Sequence, residues 1–156
     1  MKKFLTLRNV IKFGAVVLGL VAFFFMFGNQ LTATGKISGA EYKIEFNDAL
    51  LGEGGAVLSF VGYILIALGC AATLVAVFAP GKEMTKKVIV YAAGGLLVLG
   101  SIFVLLEAAV YKGPDNFLDL YKVSLRAMPI IAGVLGILGG LAVVASEFVP
   151  DQQLVK

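Results

Sequence analysis

Four stretches of this chain carry no charged side chain: Phe13–Gly35, Gly54–Gly81, Val88–Leu106 and Ala127–Ser146. A helix needs about 20 apolar residues to cross roughly 30 Å of hydrocarbon, and each stretch can hold one. A soluble domain of 156 residues has no way to bury four such segments. The expected fold is therefore an all-α membrane protein, a four-transmembrane-helix antiparallel bundle. It forms a single domain over 1–156, with spans at about 10–29, 56–78, 86–111 and 124–148 and an outer loop over 30–55.

The charges between the spans set the expected orientation. Lys2, Lys3, Arg8 and Lys12 precede the first span, Lys82, Lys86 and Lys87 lie between the second and third, and Lys156 ends the chain. That places eight basic residues on one side and five on the other. Basic residues are retained on the cytoplasmic side, so both termini are expected there, in a multi-pass protein of the plasma membrane. The Met-Lys-Lys start followed by an apolar run also imitates a signal peptide. The basic region is extended and no clean small-x-small site follows at the right distance, so an uncleaved first helix is expected.

The outer loop has strand character. Ala40-Glu41-Tyr42-Lys43-Ile44-Glu45-Phe46 alternates with a period of two, and Leu31–Ile37 resembles a strand before it. Ser38-Gly39 suits the turn between them. A small extracytoplasmic β-hairpin is expected, with the Tyr42, Ile44 and Phe46 face packing down on the helix ends as the outer-loop contact face. The second outer loop, Asp115 to Lys122, is expected to form an amphipathic turn through Phe117, Leu118 and Tyr121.

Small residues mark where helices approach inside lipid, because no hydrophobic force drives them together there. Ala132, Gly136 and Gly140 fall four apart on the fourth span, a groove for helix packing or for a partner. One ionisable residue, Glu107, ends an apolar run, about twenty residues from the start of the third span and so near the outer interface. A buried charge needs a partner, and Arg126 at the start of the fourth span is the expected one, as a structural ion pair.

Several chemistries are unsupported. The chain has no His, no Trp and a single Cys, Cys70, in the middle of the second span. This removes the usual general base, the commonest metal and haem ligand, and any internal disulfide. No catalytic, cofactor or metal residues are expected, and Cys70 reads as a small packing residue. With the basic residues flanking apolar segments, a nucleic-acid partner is not expected. The lipid bilayer and a protein partner or a second copy are.

Four spans, cytoplasmic termini, a β-bearing first outer loop and a shorter second one resemble the claudin-type tetraspan layout. The resemblance covers the whole chain as architecture. The family's first-loop signature of Trp, Gly-Leu-Trp and two cysteines is absent, so no residue and no barrier or adhesion role is carried over. The lack of loop cysteines and the Met-Lys-Lys start suit a small bacterial membrane protein. The reading that follows is a non-catalytic accessory, scaffold or assembly subunit. The alternative is a subunit of a small transporter or channel with Glu107 near its outer mouth.

Overall fold

The computed structural model describes residues 6–37, 40–47, 57–78, 82–111 and 121–152. Four helices are long and apolar enough to cross a membrane: α1 (Leu7–Phe24), α2 (Val57–Phe78), α3 (Glu83–Val110) and α4 (Ala127–Ala145). Short 3₁₀ turns extend α1 through Phe27 and α4 through Phe148. Three strands complete the described residues: β1 (Leu31–Ile37), β2 (Ala40–Phe46) and β3 (Tyr121–Leu125).

Local chemistry sets the helix ends. The Thr6 side chain accepts a hydrogen bond from the Asn9 amide at 3.3 Å and so caps α1, satisfying one of its open amides. Glu83 places a carboxylate in the first turn of α3, where the helix dipole favours it. Pro129 lies in the first turn of α4, where a missing amide costs no intrahelical bond.

The helices run up, down, up and down. α1 packs between α2 and α4, and α3 packs between the same two on the other side. Backbone meets backbone along the seams. A methyl group placed on Gly62 would stand 2.6 Å from the carbonyl oxygen of Gly100, and one on Gly140 would stand 2.8 Å from that of Gly94. On Gly139 it would meet the Ala15 carbonyl oxygen at 3.1 Å, which closes the ring from α4 back to α1. Tyr63, Ile66, Leu97, Val104 and Val143 fill the axis between the seams.

The bundle is apolar outside as well as inside: Val17, Leu20, Leu68, Val75, Leu99, Ile102, Leu138 and Leu141 are exposed on its helices. Soluble domains rarely expose so much contiguous apolar surface.

The expected hairpin is a three-stranded antiparallel sheet, in the order β2-β1-β3. Leu31 pairs with Phe46 on one side and Leu125 on the other; Ala33 pairs likewise with Ile44 and Val123. The third strand corrects the expected start of the fourth span. Tyr121-Lys122-Val123-Ser124-Leu125 alternates with a period of two and joins the sheet, and α4 begins only at Ala127. The expected turn at Ser38-Gly39, and Phe117 and Leu118 of the second loop, lie outside the described residues.

Candidate functional site

The sheet caps one end of the bundle, and its two faces differ. Paired residues project to the same side of a sheet, so Tyr42, Ile44 and Phe46 share a face with Gly35, Ala33 and Leu31 and with Tyr121, Val123 and Leu125. Glu41, Lys43 and Glu45 share the other with Thr34, Thr32, Lys122 and Ser124. Leu31 and Ala33 are fully buried, and the Phe46 ring lies against Tyr111 with centroids 5.6 Å apart. Further out the sheet overhangs the helices: Tyr42 is 50% exposed and Ile44 45%. Of the expected contact face, only Phe46 packs down. The central strand supplies the buried residues because it alone has neighbours on both sides.

Beneath the sheet, Gln30 joins four elements. Its side-chain amide donates to the carbonyls of Phe25 at 2.6 Å and Gly28 at 2.8 Å, and its Oε1 accepts from the Tyr63 hydroxyl at 2.7 Å. Its backbone bonds Phe46 at 3.1 Å and Arg126 at 2.9 Å. Gln30 is fully buried and stands where α1 gives way to β1, with Tyr63 from α2 and Arg126 at the head of α4 held to it. Fully satisfied buried networks of this kind hold one geometry. Nothing in the sequence singles out a lone Gln after an apolar helix, since its role depends on three distant segments.

The expected Glu107–Arg126 pair does not form. Arg126 bonds Glu45 on the polar face of the sheet. Glu107 is fully buried on α3, within electrostatic reach of Tyr63. The cause is β3: strand pairing carries Arg126 up to the sheet, while Glu107 stays inside the bundle below it. The alternation over 121–125 was the readable signal for this.

The expected groove on the fourth span is occupied within the chain. Ala132, Gly136 and Gly140 are all buried; Gly136 lies against Ser101 and Gly140 against Gly94, both on α3. Cys70 is buried too, against Gly19, with its Sγ 3.8 Å from the Val16 carbonyl oxygen. The buried hydroxyls of Thr73 and Ser101 donate to carbonyls of their own helices, Gly69 at 2.8 Å and Leu97 at 2.7 Å. These two groups are spent locally and do not extend toward each other.

At the opposite end the start of α1 meets the segment that follows α4. The Leu7 amide donates to the Gln152 carbonyl at 3.0 Å, and Arg8 donates to the Val149 carbonyl from Nη2 at 3.2 Å. Lys12 Nζ bonds Glu147 Oε1 at 2.7 Å, with side chains 6% and 5% exposed. This buried pair, linking α1 to the end of α4, was not foreseen: 135 residues separate its members, and each alone resembles a flanking charge.

No protein-family model and no curated protein matches the chain. Among the described residues, no cluster of three or more His, Cys, Asp or Glu could hold a metal ion.

Proposed function

We propose that this chain is an integral membrane protein that crosses the bilayer four times, and that it serves as a non-catalytic accessory, scaffold or assembly subunit. The observation that carries the reading is the contrast between its two kinds of apolar surface. Around the waist, aliphatic side chains face outward over helices of membrane-crossing length, as lipid requires. At the sheet end, Tyr42 and Ile44 remain about half exposed on a strand paired into the sheet. An exposed apolar face on an ordered element beyond the hydrocarbon is suited to a protein contact. The excess of basic residues supports an orientation with the start of α1 and the end of α4 toward the cytoplasm and the sheet outside. The claudin-like layout is retained as a likeness of architecture, supported by a sheet that draws on both outer loops.

The channel reading has less behind it. Glu107 is enclosed rather than at a mouth, and the buried Thr73 and Ser101 hydroxyls are bonded to their own helices.

Photo-crosslinking in native membranes tests the proposal. A crosslinker at position 42 or 44 should give a discrete adduct, while one at Glu41 or Lys43, on the opposite face, should not. Equal labelling at all four positions, or none, overturns the contact surface. Single cysteines at Lys43 and Asp151, with Cys70 replaced by Ala, should be labelled from opposite sides of the membrane. Labelling from one side overturns the topology.

A further inference from the structure

The end where the start of α1 meets the segment after α4 holds a cavity of about 200 Å³ walled mainly by polar groups. Its floor is the Lys12–Glu147 pair, in which the two charges neutralise each other. Arg8 leans over that floor, with Nη1 3.8 Å from Glu147 and 3.9 Å from Glu83, too far for strong bonds. Lys86 and Lys87 stand at its wall, and neither has an ion-pair partner among the described residues. Four cations face three carboxylates there, the third being Asp151, which is exposed to solvent. The cavity therefore carries an excess of positive charge, and of its cations Lys86 and Lys87 have no side-chain partner among the described residues.

The rim is apolar. Met84 and Val88 flank the two lysines along α3 and are 79% and 62% exposed, and Val10 and Phe78 are exposed at the same end. A charged recess edged by exposed aliphatic surface matches a molecule with an anionic head and a hydrocarbon tail. A free anion would need the recess and have no use for the rim. Basic pockets at the cytoplasmic ends of membrane helices have the chemistry to hold lipid phosphates.

We propose that this recess binds the phosphate of an anionic phospholipid headgroup, contacted by Arg8, Lys86 and Lys87, with the acyl chains lying along the exposed side of α3. The proposal rests on the membrane reading above, since only a protein in lipid meets such a ligand.

The test uses the full chain purified in a neutral detergent. Lipid retention is measured by native mass spectrometry, and thermal unfolding is followed with added phosphatidylglycerol, phosphatidylcholine or inorganic phosphate. Phosphatidylglycerol should be retained in preference to phosphatidylcholine and should raise the unfolding temperature. In the Lys86→Gln, Lys87→Gln double variant its relative affinity should fall about thirtyfold, the worth of two basic residues at an anionic surface. Both lysines are at least partly exposed, so the variant should unfold at the wild-type temperature without lipid. Equal retention of the two lipids, or selectivity unchanged in the variant, overturns the headgroup site. An equal shift from inorganic phosphate alone overturns the lipid assignment in favour of a soluble anion. A chain that stays monodisperse without detergent overturns the membrane reading itself.

Discussion

Gly100→Ala probes the closest helix seam. A methyl group at position 100 would stand 2.5 Å from the Gly62 carbonyl oxygen and 3.0 Å from the Ile66 amide nitrogen. Both are backbone atoms, so no side chain can rotate away. Ordinary contact begins at 3.4 Å, and α2 and α3 must part by about 0.9 Å to reach it. A gap of that size forfeits roughly a quarter to a half of each dispersion contact it opens. It reaches the neighbouring seam contact, where Gly69 lies against Leu97 and Ala93. Overpacking of this kind costs about 1–3 kcal/mol. The added methyl also favours the helix by about 1 kcal/mol relative to glycine.

Gly95→Ala supplies the control on the same helix, since a methyl there meets nothing within 4 Å. It should stabilise by about 1 kcal/mol, and Gly100→Ala should fall below it by about 1–3 kcal/mol. Reversible unfolding in detergent, followed by circular dichroism across a denaturant series, measures both. Adding Gly62→Ala to Gly100→Ala should cost less than the sum of the two, because the first change already opens the seam. If Gly100→Ala is as stable as Gly95→Ala, the helices do not touch at this crossing and the account of the bundle is wrong.

Further outcomes are expected in the same assay. Lys12→Met or Glu147→Leu alone should cost about 3–5 kcal/mol by stranding a buried charge, and the two together should recover most of it. A double variant no better than the worse single would show that the pair is not the reason. Gln30→Leu should cost about 1–3 kcal/mol, since it takes the acceptor from the Tyr63 hydroxyl and the side-chain donor from the Gly28 carbonyl, and Tyr63→Phe should add less on top of it than it costs alone. Full additivity would remove the bond between them. Arg126→Ala and Glu45→Ala should each cost no more than about 1 kcal/mol, as expected for a partly exposed pair. Arg126→Ala should be additive with Glu107→Gln; a coupling of about 1 kcal/mol or more would restore the pair the structure does not form.

Height along neighbouring helices matches Arg126 to Glu107, but a five-residue strand before α4 carries Arg126 to the sheet. The alternation of Tyr42 and Ile44 fixes a common face and does not fix how much of it is covered. Phe46, at the near end of the same strand, does pack.

The four apolar runs, their helical form and the small residues at their seams follow from the sequence alone. They depend on spacing and side-chain size within one segment, quantities that any folded arrangement must respect. The three-stranded sheet, the Gln30 junction and the Lys12–Glu147 pair were decided by tertiary structure. Each joins residues from distant segments, and which charge or amide meets which is set by how the helices close into a ring.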